Sequence, residues 1–327
     1  MHETYDRTVV LTELPSDMSW RFGGFPYGLE PLTLPYPDQA DLPDKRSRSG
    51  EFAQTCRRIR MISAVGISAG EVEQDGADDE MFWFRWITGH QVSFVLWRLA
   101  AQLIKDVVSH RCAVSAVIPG LIQYVDAYSA MLLYTGSCPR ASYHRVIRPS
   151  MRLRHPSFSG GWAPDYLPLR SLLRGRLVPF DRSPYSPGLL RAVTLNQLVH
   201  EHVAAKLVPD GVSLLRGAGT AVRRQDRRLL NLLFDNYFMT LRAPVSRSDI
   251  VAQLLRRLVA VVQDVEVNGL FPVGEQAPED RPVAEVAECA RNLTRIIVDA
   301  ARSTIALPVA SADHLAPADA LTGARAR

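Results

Sequence analysis

Between residues 80 and about 109, Phe82, Trp86, His90, Phe94, Trp97 and the Ala101/Ile104 region recur at steps of three and four residues. That spacing puts them on one face of a helix. A face made largely of big aromatic rings must be covered by other elements, so the chain has to build a core around it. Its 327 residues suffice for one large domain or two ordinary ones.

The rest of the chain reads mostly as further helices. They are predicted near residues 50–67, 114–134 (with Pro119 as a point of bending), 188–208, 224–241, 246–268 and 284–306. Ser246, with Asp249 three residues on, is placed to cap the 246–268 helix. Residues 137–187 read as loop-rich, with many Pro and the run Ser159-Gly160-Gly161. No sustained strand alternation is present. Residues 1–48 form an irregular arm, since Pro15, Pro26, Pro31, Pro35, Pro37 and Pro43 break any helix. The arm carries Trp20, Phe22, Phe25, Tyr27 and Tyr36, a content that suits packing on its own domain or on a neighbouring subunit. Residues 308–327 are Ala-rich, polar and Pro-containing and read as a mobile tail. With no internal repeat and no central linker, the expectation is all-α: a single helical domain over 49–307, with the Pro-rich arm before it.

Composition excludes several classes. The net charge is +4, and the basic residues, nearly all Arg, are not interleaved with aromatics as a nucleic-acid surface would be. There is no run of 18 or more uncharged apolar residues, so no spanning helix is predicted. The first residues lack the order of a signal peptide, and Cys56, Cys112, Cys138 and Cys289 are too widely spaced to form a metal or redox pair. A cytoplasmic protein with free thiols, engaging neither membrane nor nucleic acid, is expected. No Gly-rich phosphate loop, HExxH helix, GxSxG elbow or zinc-spaced Cys/His set occurs.

Four positions could carry chemistry. His90 lies mid-helix among Trp86, Phe94 and Trp97, where a titratable ring must find a partner or lose its charge; the plain alternative is a core histidine bonded to a carbonyl. His200 and His202 share the 188–208 helix, and a spacing of two puts them on different faces, so they do not both bind one metal. One could be an axial iron ligand, or both could be surface residues. The stretch from Tyr143 to Arg152, with Arg145, Arg148 and Arg152, could clamp a carboxylate through the guanidinium fork, or be a solvated loop.

Three local patterns, taken in order over about residues 80–220, resemble the tryptophan 2,3-dioxygenase superfamily. Trp86-Ile-Thr-Gly-His90-Gln91-Val-Ser-Phe94-Val-Leu-Trp97 is similar to its distal His-Gln helix. Ser157-Phe-Ser159-Gly160-Gly-Trp162 is similar to its Ser-Gly-Phe turn. His200-xx-Val203-Ala204-x-Lys206, followed by Gly217-Ala-Gly219-Thr220, is similar to its proximal-histidine helix and Gly-rich loop. The loop is shorter than in tryptophan dioxygenases, and the Pro-rich arm and Ile147-Arg148-Pro149-Ser-Met151 look more like the haem-dependent L-tyrosine hydroxylases, which make 3,4-dihydroxyphenylalanine for antibiotic pathways.

The resemblance implies a haem enzyme that hydroxylates L-tyrosine with hydrogen peroxide. It implies His200 as the proximal iron ligand, with His202 as the competing choice, and His90 as the distal base, an imidazole titrating near neutral pH. Trp86 and Phe94 would line the substrate pocket, Trp97 the cofactor pocket, and Arg148, with Arg152 and Arg145 as fallbacks, would hold the substrate carboxylate. A related branch binds haem covalently through His-xxx-Cys; here Ala204 follows His200 by four, and Lys206 follows His202 by four, so non-covalent haem b is expected. The arm suits exchange between subunits, pointing to a homodimer or homotetramer. The competing readings are an indole-ring oxygenase of the same superfamily, a haem sensor, and a helical interaction protein without cofactor.

Overall fold

The computed structural model describes residues 28–65, 78–208, 226–271 and 283–306, with residues 211 and 214. Trp20, Phe22, Phe25, Tyr27, the Gly217–Thr220 turn and the 308–327 tail lie outside the described residues. The described residues are mostly helical, with one short two-stranded sheet. Its longer helices are α1 (Ser49–Val65), α2 (Asp78–Val108), α3 (Val114–Thr135), α6 (Ser186–Leu207), α8 (Arg247–Asn268) and α10 (Leu293–Ala306). Shorter helices are α4 (Arg140–Ser142), α5 (Arg148–Arg154), α7 (Arg227–Tyr237) and α9 (Ala284–Arg291).

α2 is the central member. Every residue from Gln91 to Ala100 is buried, so the helix is enclosed all round rather than on one stripe. It packs mainly on α3, which in turn contacts α6 and α10; α8 packs on α1. By length and apolar content α3 could span a membrane, but it is largely buried among these helices. The polar side chains of α2 have partners. Arg85 donates through Nε to Asp264 at 2.7 Å, through Nη1 to Ser137 and the Leu270 carbonyl, and through Nη2 to the Gly269 carbonyl. Tyr134 donates to the same Asp264 at 2.7 Å. This fully buried ion pair joins α2, α3 and α8.

The described part of the arm is bound to the helices. Strand β1 (Leu32–Leu34) pairs in parallel with β2 (Thr240–Arg242), Thr33 opposite Leu241. Arg98 of α2 donates to the carbonyls of Tyr36, Pro37 and Gln39 and to Asp41. One fixed cation thus satisfies three carbonyls of the segment.

Three local expectations change. Residues 140–154, predicted as loop, form α4, a π turn (Tyr143–Ile147) and α5 without interruption. Pro149 falls in the first turn of α5, where no intrahelical N–H is needed, and the Arg148 N–H reaches back five residues to the Tyr143 carbonyl. The predicted 284–306 helix is divided at Asn292, whose side-chain amide bonds the Glu288 carbonyl. The 224–241 helix stops at Tyr237, because Met239 takes a left-handed conformation (φ 51°) that turns the chain into β2. The Ser246 cap stands as read, accepting from the Asp249 N–H at 3.2 Å.

Candidate active site in a cavity between α2, α3 and α6

Two glycines set the spacing of the site's helices. A Cβ on Gly89 would lie 2.4 Å from Thr135 Cγ2 and 3.0 Å from Tyr134 Cδ1, so α2 approaches α3 this closely only through glycine. A Cβ on Gly136 would lie 2.5 Å from Val203 Cγ1, which fixes α6 against the end of α3. Lys206 strengthens the second junction by donating to the carbonyls of Gly136 and Ser137, placing a cation at the negative end of α3.

Between these helices is a cavity of about 520 Å³, within the range of small-molecule and cofactor sites. His90, Ser93 and Trp97 line it from α2, Tyr128, Leu132 and Thr135 from α3, and Asn196, Gln197, His200 and Glu201 from α6. The Ser159–Gly161 turn, Tyr166, Leu173 and Phe234 complete the wall. Ser159 Oγ accepts from the Gly161 N–H at 3.2 Å, and Arg227 donates to the Gly161 carbonyl at 2.9 Å, so the turn is held from both sides.

His90 is oriented by its own helix. Its Nδ1 lies 2.6 Å from the Trp86 carbonyl. A carbonyl only accepts, so Nδ1 carries the proton of the neutral ring and Nε2 keeps its lone pair. Burial pushes the His90 pKa down to about 4, against a smaller opposing effect of the Trp86 hydrogen bond. The ring is therefore neutral near pH 7, and the near-neutral titration expected from the sequence is displaced by its apolar surroundings. Phe238 stacks on it at 4.5 Å and 21°, and Trp86 lies tilted at 4.3 Å. Gln91 holds the Phe238 backbone. Its amide donates to the Phe238 and Glu30 carbonyls, and its oxygen accepts from the fully buried Arg257 at 2.9 Å.

The predicted site residues divide into two groups. His90, Trp97 and His200 line one cavity. Trp86 and Phe94 stand beside it in the aromatic core, Phe94 against Trp97 and Phe234. His202 is outside the lining; burial and the Lys206 charge lower its pKa. The arginines are also outside it. Arg148 faces Tyr143, Arg152 is exposed, and Arg145 forms a two-pronged ion pair with Asp79. Among the described residues no Arg or Lys lines the cavity. An Arg-rich stretch shows that forks are available but not which acceptors they find. The sequence reading did not single out Tyr128, Leu132 and Thr135, although their spacing of four and three marks one face of α3. Nor did it single out Asn196, one turn before His200.

The residues present fit a haem. Two imidazoles from different helices reach the same cavity, whose wall includes the rings of Trp97, Tyr128, Tyr166 and Phe234, and one of its buried donors, Trp97 Nε1, has no partner among the described residues. A single neutral imidazole suffices as proximal ligand, and among the described residues no cluster of three or more His, Cys, Asp or Glu offers a multidentate metal site.

Helical fold and cavity together suit a haem-dependent oxidoreductase. Residues 64–186 match the family described as SfmD 3-methyl-L-tyrosine peroxygenase. The matched span holds His90, Trp97 and the Ser159–Gly161 turn and ends at the first residue of α6, before His200. No curated protein matches the chain.

Proposed function

We propose that this chain hydroxylates L-tyrosine at the ring carbon ortho to the phenol, giving 3,4-dihydroxyphenylalanine, with hydrogen peroxide as oxidant and a non-covalent haem b as cofactor. The observation that carries the reading is that His90 and His200 line one 520 Å³ cavity. His200 would hold the iron, and with Ala204 in place of a cysteine four residues on, attachment stays non-covalent.

The bound haem supplies the oxidising power. The peroxide O–O bond breaks, one oxygen enters the ortho C–H bond as a hydroxyl, and the other leaves as water. The chain's part is orientation and proton control. His90 enters the reaction neutral, so Nε2 can accept a proton from the phenol or the peroxide; the Trp86 carbonyl and the Phe238 ring keep that nitrogen aimed. Loss of the phenol proton makes the ortho carbon more electron-rich. Leu132, Leu173, Phe234 and Trp97 exclude water around the ring.

The family description favours a second substrate, 3-methyl-L-tyrosine, for which the same groups act on the free ortho position. Purified protein with hemin should give a strong Soret band, and peroxide with L-tyrosine should give the catechol by mass spectrometry. L-tyrosine, 3-methyl-L-tyrosine and L-tryptophan run in parallel decide the ring. Turnover of tryptophan alone would replace the proposal with the indole-oxygenase reading, and a colourless protein after hemin addition would end it.

A further inference from the structure

We propose that Trp97, with Tyr128 and Tyr166, forms a carboxylate-binding subsite at one end of the cavity. This inference rests on the haem reading above. Trp97 is 5% exposed and lines the cavity, yet its indole N–H has no hydrogen-bond partner among the described residues. A buried donor left unpaired is unfavourable, so the site is built for an acceptor that arrives with a ligand. The rings of Tyr128 and Tyr166 flank the indole at 5.1 and 5.3 Å, both edge-on. Both line the same cavity, one from α3 and the other from the turn Pro164–Leu169. Burial, with a smaller contribution from Tyr166, raises the Tyr128 pKa, so its hydroxyl stays protonated as a donor.

Other polar groups of the wall already spend protons within the protein. Ser93 donates to the Gly89 carbonyl, Thr135 to Met131, Asn196 to Ser129 and Gln197 to Leu173. The described lining holds no Arg or Lys and has Glu201 on α6 as a carboxylate, so an anion at the Trp97 end would be met by neutral donors, and three such hydrogen bonds to one carboxylate are charge-assisted. Trp97 stands seven residues beyond His90, about 10.5 Å along the helix axis at 1.5 Å per residue. A carboxylate held there belongs to a molecule whose reacting end is at His90. An amino-acid carboxylate and a porphyrin propionate share this chemistry.

Two titrations separate the sources: hemin into apoprotein, and L-tyrosine or tyramine, which lacks the carboxylate, into hemin-loaded protein, followed at the Soret band. Loss of one hydrogen bond to a charged acceptor should weaken binding about tenfold. If Trp97→Phe weakens hemin uptake by that factor and leaves the tyrosine-to-tyramine ratio unchanged, the subsite takes a propionate. If hemin uptake holds and L-tyrosine alone loses affinity, it takes the substrate carboxylate. Should Trp97→Phe fail to fold by circular dichroism, the paired Tyr128→Phe and Tyr166→Phe variant is read the same way. Unchanged hemin, tyrosine and tyramine affinities in the folded variants overturn the proposal. If wild-type protein takes up no hemin, the haem reading fails separately, and calorimetry with L-tyrosine and tyramine tests the subsite alone; equal affinities then overturn it.

Discussion

The side-chain amide of Gln91 donates to the carbonyl of Phe238 at 2.9 Å, and the Phe238 ring stacks on His90, the residue before Gln91. Position 91 therefore sets the wall against which the cavity histidine rests. Gln91→Leu takes a donor from the Phe238 carbonyl, which keeps only the longer bond from Thr240, and from the Glu30 carbonyl, which keeps Arg257, and it removes an acceptor from Arg257; a buried polar group left unpaired costs about 1–3 kcal/mol. Urea unfolding should show a loss of a few kcal/mol, with hydroxylation falling further than hemin affinity. Gln91→Glu keeps the acceptor for Arg257 and should recover part of the stability. Equal stability of all three proteins would show that the network does not hold this wall.

His200 lines the cavity and His202 does not. His200→Ala should lose most hemin affinity in a Soret titration, and imidazole added to the variant should restore part of it. His202→Ala should bind hemin as the wild type does. The reverse pattern would move the iron ligand to His202.

His90→Ala should retain the Soret band while hydroxylation falls about 10²- to 10⁴-fold, the usual scale for a positioned acid–base group. Unchanged turnover would remove His90 from the proton transfer.

Burial holds the folded His90 pKa near 4, below the ordinary 6.5. Between these values the unfolded chain binds a proton that the folded chain does not, so stability rises with pH. It is lost as pH falls from about 6.5 towards 4, with a limiting slope of roughly 1.4 kcal/mol per unit from this one group. Thermal melts of apoprotein at pH 7, 6 and 5 should show the decline, and His90→Leu should flatten it. An identical slope in the variant would mean that other groups carry the acid sensitivity.

Asp264 accepts from Arg85, Tyr134 and Asn268 in the core. Asp264→Ala takes the carboxylate away from the buried Arg85 charge, a change worth about 3–5 kcal/mol. Chemical denaturation should register a loss of that size. A loss under 1 kcal/mol would mean that the carbonyls and Ser137 suffice.

Much of the site was legible because its key residues share helix faces. The periodicity from Phe82 to Trp97 identified α2 as a core helix, and the offset of two between His200 and His202 required them to face different ways. What the stripe hid is its division: His90, Ser93 and Trp97 face the cavity, while Trp86 and Phe94 enter the aromatic core. The pairing of Leu32–Leu34 with Thr240–Arg242 joins segments about 200 residues apart, and the surrounding prolines read only as helix breakers. The turn around Arg148 was misread for a related reason. Pro149 ends a helix in the interior of one, but in a first turn preceded by a π turn it does not. The partner of Arg148 depended on that geometry.

The contacts of Gly89 with Thr135 and of Gly136 with Val203 carry a consequence for how such chains can diverge. Each is a notch filled by a neighbour's methyl group, with no slack for even one added carbon. Substitutions there should be tied in pairs across lineages: a descendant that gains alanine at 89 would trim position 135, and one that gains it at 136 would trim position 203. Drift at one member alone would move the two imidazoles relative to each other, so selection on the reaction would register as covariation at four sites, of which only Thr135 lines the cavity.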